Sequence, residues 1–315
     1  MRAWQYVGAG QPLTLNEVDV PTAGAGQVQI SVKAVGLCHT DVGILDGVIP
    51  DSILASVPLT LGHEVAGVVT AVGGGVERFA IGDRVGLVAG EQGPGLAFHG
   101  GYASTVVAPQ EVVVLLPDGV DFPEAAAAAD AGLTSYRAIA TVGAVTSKTR
   151  VGIIGLGGLG LIGVQIAKAL GATVYAAEIR EEAREVALKQ GATEVVQDAD
   201  DLAAFDLDVI VDFAGFGTTT AAAIRAIRPG GKVVLVGAGA NQATIDTNVF
   251  VAKNVRIEGS NAGTADDLRA FLAMVANGEA SPVLSYTTFD GIKDGLDQVN
   301  AGKVIGRLVA VLDEA

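Results

Sequence analysis

The segment Val151-Gly152-Ile153-Ile154-Gly155-Leu156-Gly157-Gly158-Leu159-Gly160 constrains the fold of this chain more than any other. A short β-branched run leads straight into glycines spaced G-x-G-x-x-G, and an apolar stretch of helical period, Leu159–Leu170, follows. That order describes a strand turning directly into a helix. In such a turn Gly155 permits the tight bend, Gly157 lets the backbone approach a pyrophosphate, and Gly160 lets the helix pack on the sheet. The helix N-terminus offers free N–H groups and a partial positive charge to phosphates. The glycine spacing by itself is a weak signal, but here a strand precedes it, a helix follows, and Glu178 ends the next strand. A carboxylate at that place accepts hydrogen bonds from both ribose hydroxyls of the adenosine and repels a 2′-phosphate. The expected cofactor is therefore NAD(H). Arg180 close by leaves NADP(H) open, and the competing reading of Glu178 is a surface charge at a helix start.

The region around this turn alternates between strand and helix patterns. Strands are predicted at 151–154, 173–177, 194–196, 208–212, 232–236 and 255–258, with helices at 159–170 and 181–189. That alternation makes an α/β domain with a doubly wound parallel sheet. Before it, Pro123–Ala140 reads as an Ala-rich helix. The earlier chain reads as short strands, at 28–35, 64–70, 83–88 and 102–107, broken by turn signals at Gly73-Gly74-Gly75 and Ile81-Gly82-Asp83. After Gly259, Thr264 and Asp267 form a capping-box pattern. Leu268, Phe271, Leu272 and Val275 then share one helix face, Gly278 supplies a stop, and a last strand is expected over 307–312.

A chain of 315 residues leads us to expect two domains, and half of its residues are hydrophobic, which excludes a disordered polymer. The formal charge of −15 argues against nucleic acid and anionic membranes as partners, since both call for basic patches. The first residues, Met1-Arg2-Ala3-Trp4-Gln5, show no apolar signal core, so a cytoplasmic protein is expected. With a single cysteine, Cys38, no internal disulfide and no multi-cysteine structural zinc site is possible. Cys38 is then a free thiol, a core residue or one metal ligand among others. The three histidines, His39, His63 and His99, each have an ordinary reading as a loop or core residue when taken alone.

Taken together, the segments resemble the zinc-containing medium-chain alcohol dehydrogenase family over nearly the whole chain. The resemblance is carried by Gly-Leu-Cys-His-Thr-Asp at 36–41, Leu-Gly-His-Glu-Val-Ala-Gly at 61–67, Gly-Asp-Arg-Val at 82–85 and His-Gly-Gly-Tyr-Ala at 99–103. Asp-Ala-Gly-Leu-Thr-Ser-Tyr at 130–136, the glycine turn and Gly-Lys-Val-Ile-Gly-Arg at 302–307 continue it. It implies a GroES-like, β-rich catalytic domain over 1–125 and 262–315, with a Rossmann domain over 126–261 between them. It implies one catalytic zinc per chain on Cys38, His63 and Asp130, where the third ligand of the family is often cysteine; thiolate, imidazole and carboxylate suit Zn²⁺. Glu64 matches a carboxylate near the metal, Thr40 a proton-relay hydroxyl, and Asp41 the partner that orients the ligand histidine. On the cofactor side the resemblance sets His39, against the pyrophosphate, with Gly155, Gly157, Gly158, Leu159, Gly160, Glu178, Arg180, Val236, Gly237, Ser260 and Arg307.

The implied reaction is hydride transfer between NAD(H) and a small-molecule alcohol, ketone or aldehyde, in a homodimer or homotetramer pairing near 255–259. The alternatives are a zinc-free quinone or enoyl reductase of the same superfamily and a nicotinamide-binding protein without activity. Two departures stand out. Gly43 replaces a histidine that often passes the proton to solvent, and the segment 89–101 is too short and cysteine-free to form the family's structural zinc lobe. His99 lies in that segment and receives no role. By position alone, Leu45, Ile49, Ala89 and Asn261 are expected near the substrate.

Overall fold

The computed structural model describes residues 1–312 and divides into two units. The first comprises Met1–Leu133, Gly263–Ala276 and the chain from Leu284 onward; the second comprises Thr134–Ala262 and Asn277–Val283.

The first unit is built on a seven-stranded sheet. Its order is Leu284–Thr288, Arg307–Val311, Gln27–Leu37, Glu64–Val72, Arg84–Leu87 and Val113–Leu115, with Thr105–Pro109 also paired to Gln27–Leu37. Leu284–Thr288 runs parallel to Arg307–Val311, and the other pairs are antiparallel. The long strand Gln27–Leu37 alternates buried and half-buried side chains until Val35, as a strand with one covered face should. Its apolar side chains join Tyr6, Leu61, Val65, Leu87, Tyr102 and Leu308 in one core. A smaller sheet pairs Arg2–Tyr6 with Thr14–Glu17 and Leu59–Thr60.

The predicted Ala-rich helix begins at Phe122, capped by Asp121, which accepts from Glu124 N at 2.8 Å. Alanine at 125–129 lets it lie close on the strands Gln27–Leu37 and Glu64–Val72. The helix widens into π-type turns at Ala128–Gly132 and Arg137–Val142, which its periodicity did not foretell. The capping box at Thr264 and Asp267 forms, with Asp267 N donating to Thr264 Oγ1 at 3.2 Å, and Leu268, Phe271, Leu272 and Val275 are all buried. Elements of this unit that the sequence reading did not place include the strands Arg2–Tyr6, Thr14–Glu17, Val113–Leu115 and Leu284–Thr288 and the helices His39–Leu45 and Ile292–Asn300. The run expected as a strand over 102–107 begins only at Thr105, because the backbone of Tyr102 is spent on Leu61 and Trp4 instead.

The second unit holds a six-stranded parallel sheet in the order Glu194–Val196, Thr173–Ala177, Arg150–Ile154, Val209–Asp212, Lys232–Leu235, Arg256–Gly259. The crossover from the third strand outward in both directions is the doubly wound arrangement expected from the alternating pattern. Helices Gly158–Ala169, Glu181–Lys189 and Gly217–Ala226 connect the strands; the short helix Thr247–Ala252 was not anticipated. No helix among the described residues is long and apolar enough to cross a membrane.

Candidate functional site

The candidate residues fall into two groups, one in each unit. In the first, the strand Gln27–Leu37 ends where Cys38 becomes the N-cap of helix His39–Leu45. The sequence Cys-His-Thr-Asp is itself a helix start: the Cys38 sulfur accepts from Thr40 N at 3.4 Å, and Asp41 Oδ2 accepts from Cys38 N at 3.1 Å. Antiparallel pairing sets Gly36 opposite Glu64, and this register carries Cys38 to the side of His63. Asp130 arrives from the π-type turn Ala128–Gly132. Such turns push one side chain out of the regular helical ladder.

The donor atoms of Cys38, His63, Glu64 and Asp130 all lie within 4.8 Å of one another. Asp130 Oδ2 is 3.7 Å from Cys38 Sγ and 3.5 Å from His63 Nε2. Glu64 differs from the other three. Its carboxylate is held by the Arg307 guanidinium, with Nε donating to Oε2 at 2.9 Å and Nη2 donating to Oε1, and Nη2 also donates to Asp130 Oδ2 at 3.1 Å. Both partners of this pair are buried. The structure thus sets Arg307, which the resemblance had put with the cofactor residues, against two carboxylates of the metal cluster.

His63 is the least satisfied member. Its Nδ1 faces Asp41 Oδ1 at 3.3 Å, while Nε2 is buried without a hydrogen-bond partner among the described residues. A buried ring nitrogen left bare costs of the order of 1–3 kcal/mol, so such an atom calls for an explanation. A metal ion between Nε2, Cys38 Sγ and Asp130 Oδ2 supplies one. The mixed sulfur, nitrogen and oxygen set suits zinc and is wrong for magnesium or calcium, which take oxygen.

The charges agree with that reading. Burial opposes a charge on His63, but Asp41, Asp130 and Cys38 outweigh it and hold the imidazole pKa well above its ordinary value. Burial likewise pushes the Cys38 thiol up, yet Arg307 and His63 prevail over burial and Asp130 and draw its pKa below the usual range. These surroundings favour negative charge at the sulfur and positive charge at the imidazole. Thr40 Oγ1 lies 3.5 Å from the sulfur, and His39 is exposed on the same helix turn. His99 accepts from Thr60 N at 3.1 Å through Nδ1, and burial lowers its pKa.

In the second unit, Gly155 takes φ +85° directly after the strand Arg150–Ile154, and Gly157 caps helix Gly158–Ala169 without a side chain. A Cβ on Gly160 would lie 1.8 Å from the Gly155 carbonyl oxygen, so only glycine lets the first turn of this helix close on the strand end. Nothing stands within 4 Å of a Cβ built on Gly157, which leaves open space above the helix start. Glu178 follows the neighbouring strand and binds the turn: Oε2 accepts from Leu156 N at 2.7 Å, and Oε1 accepts from Arg180 N at 3.0 Å. Burial raises the Glu178 pKa, but these backbone donors and the Arg180 side chain bring it below the ordinary carboxylate value. Val236 and Gly237 leave the strand Lys232–Leu235 with both N–H groups donating to Asp212 O. Ser260 follows the strand Arg256–Gly259, and its buried hydroxyl has no partner among the described residues.

Two structural participants went unnoticed in the sequence. Tyr102 donates to Asp41 Oδ2 at 2.9 Å, and Asp212 accepts from Ala214 N, Gly215 N, Thr219 and Thr220. Asp212 had a local signal, an acid ending a strand just before Phe-Ala-Gly. Tyr102 lay inside the His-Gly-Gly-Tyr-Ala motif at 99–103 but was given no role.

Residues 24–118 match the alcohol dehydrogenase GroES-like domain, and residues 158–277 match the zinc-binding dehydrogenase family. The chain is 34% identical to an alcohol dehydrogenase of Geobacillus stearothermophilus, over 96% of this chain and 97% of that protein. It is 30% identical to the NAD-dependent alcohol dehydrogenase of Saccharolobus solfataricus, over 99% of this chain and all of that one (100%). Among solved structures it is similar to acetophenone reductase from Geotrichum candidum in complex with NAD, with TM-score 0.90, 30% identity and coverage of 98% and 96%. Sequence, fold and side-chain constellation agree, and the chain belongs to the zinc-binding alcohol dehydrogenase family.

Proposed function

We propose that the protein is an NAD-dependent alcohol dehydrogenase that holds one catalytic zinc on Cys38, His63 and Asp130. The observation that carries this reading is the buried His63 Nε2, without a hydrogen-bond partner among the described residues, facing a sulfur and a carboxylate oxygen. Zinc supplies Lewis acidity toward an alcohol or carbonyl oxygen, and nicotinamide accepts or returns the hydride. The protein's own side chains do the rest. Asp41 Oδ1 accepts a hydrogen bond from His63 Nδ1, and with a metal bound this would leave Nε2 as the atom that meets it. Arg307 neutralises Glu64 and part of Asp130, which leaves Cys38 and Asp130 as the anionic donors. Thr40 Oγ1 would accept the alcohol proton as its own hydroxyl proton leaves. Gly43 offers no side chain to pass it on, so the relay continues through a ribose hydroxyl or water. Glu178 would hold the adenosine ribose.

The test is metal content by mass spectrometry on protein purified without added metal or chelator, alongside NAD reduction with a panel of alcohols. About one zinc per chain is expected, with turnover that a chelator removes and zinc restores. Metal-free protein that still reduces quinones or enones would instead support the zinc-free reductase reading. We further propose a cytoplasmic homodimer or homotetramer that pairs along the edge strand Arg256–Gly259; a monomer in light scattering would contradict it.

Replacing Glu178 by alanine removes both the ribose acceptor and the anchor of Leu156 N. A hydrogen bond to a charged group contributes about 1.5–3 kcal/mol, so KM for NAD is expected to rise at least about tenfold, with kcat changed much less. The preference for NAD over NADP should narrow, because the charge that repels a 2′-phosphate is gone. Steady-state kinetics with both cofactors check this.

A further inference from the structure

Asp41 is buried, and its carboxylate is fully engaged. Oδ2 accepts from Cys38 N at 3.1 Å and from the Tyr102 hydroxyl at 2.9 Å. Oδ1 accepts from Gly62 N at 3.4 Å and faces His63 Nδ1 at 3.3 Å. Tyr102 supplies the one hydroxyl in this set, and it comes from outside the segments that carry the metal residues.

Everything about Tyr102 holds that hydroxyl in place. The residue is 0% exposed. Its backbone N–H donates to Leu61 O at 2.9 Å, and Gly101 N donates to Gly62 O at 2.7 Å, which ties it to the chain just before His63. Its ring lies against Gly62, where φ is +90° and a Cβ would come within 2.4 Å of Tyr102 Cδ1. The single hydroxyl hydrogen has two acceptors in reach, Asp41 Oδ2 at 2.9 Å and Gly36 O at 3.4 Å, and the nearer and charged one takes it. Burial, and then the Asp41 charge, raise the phenol pKa well above its ordinary value, so the group remains a donor.

We infer that Tyr102 is a positioning residue for the zinc site: bound to Asp41 Oδ2, it stops the carboxylate from turning and so aims His63 Nε2 at Cys38 and Asp130. The inference rests on the proposed ligand set. Its mechanism is indirect, because Tyr102 touches no reacting atom. With Oδ2 held by Tyr102 and Cys38 N, only Oδ1 is left to meet the imidazole, and the ring plane follows from that.

Tyr102→Phe keeps the ring and removes the hydroxyl. Zinc affinity, measured by competition with a chromophoric chelator, is expected to fall about tenfold, the lower end for loss of a group that orients a ligand. The visible absorption of cobalt-loaded protein should shift as the His63 geometry loosens. Val106→Ala is the control: it removes packing from the same core without touching Asp41, and should lower the melting temperature with affinity and cobalt spectrum unchanged. Affinity within about twofold of wild type in Tyr102→Phe, or an equal loss in Val106→Ala, overturns the inference. Wild-type protein that takes up no zinc overturns the ligand set itself, and the inference with it.

Discussion

With Cys38 replaced by serine, the protein is expected to retain less than about a tenth of its zinc and to lose more than ~100-fold in kcat/KM. Changes in groups that merely orient a ligand cost 10–100-fold, so loss of the thiolate itself should exceed that range. The substitution is informative because of where Cys38 sits. It is a helix N-cap, and serine is among the best residues for that place. The helix start His39–Leu45, the bond from Cys38 N to Asp41 and the fit at a buried position are all kept. What changes is the donor: a serine hydroxyl stays protonated where the Arg307 and His63 environment favours a thiolate. The metal-free melting temperature should therefore match that of metal-free wild type. Mass spectrometry of the metal, calorimetry and steady-state rates together check it. Full zinc content with intact turnover would remove Cys38 from the ligand set.

Arg307→Met is expected to destabilise the first unit by about 3–5 kcal/mol, the usual cost of removing one partner from a buried ion pair. Glu64 is 0% exposed, and without the guanidinium its buried carboxylate, beside Asp130, loses the hydrogen bonds that Arg307 donates. For a unit of this size each kcal/mol moves the melting temperature by about 2–4 °C, so a fall of the order of ten degrees should appear in a thermal melt. The double variant Glu64→Leu/Arg307→Met should recover much of the loss, since a buried ion pair replaced by apolar groups of similar size is often neutral. A drop in Arg307→Met that the second change does not relieve would mean the guanidinium is needed for something other than Glu64.

The parts of this molecule that could be read from the sequence are those written in short stretches. The glycine turn at 155–160, the strand before it and the acid at Glu178 lie within one local unit, and backbone sterics make them legible. The capping box at Thr264 and Asp267 is equally local. The metal cluster is different. Cys38 by itself was open between core and ligand, and only the resemblance joined it to His63 and Asp130; what brings them together is the pairing of Gly36 with Glu64 and a π-type turn, neither of which leaves a periodic trace. The Arg307–Glu64 pair spans 243 residues of sequence, and the Tyr102–Asp41 bond spans 61. Such contacts depend on the finished sheet, so no window of the chain announces them. The strand Leu284–Thr288 was missed because its side chains are mostly outward and polar, with too little alternation to mark a covered face.

The strand Arg307–Val311 lies between Leu284–Thr288 and Gln27–Leu37, yet the ribosome makes it after the whole of 134–262. The parallel sheet of the second unit is one uninterrupted piece of chain, complete once Gly259 has been made. The mixed sheet that carries Cys38 and His63 is open on one side until the strand beginning at Arg307 emerges, and Glu64 waits that long for its counter-charge. Vectorial synthesis thus delivers a finished dinucleotide sheet before a finished metal-side sheet, and the older half of the chain is the last to close.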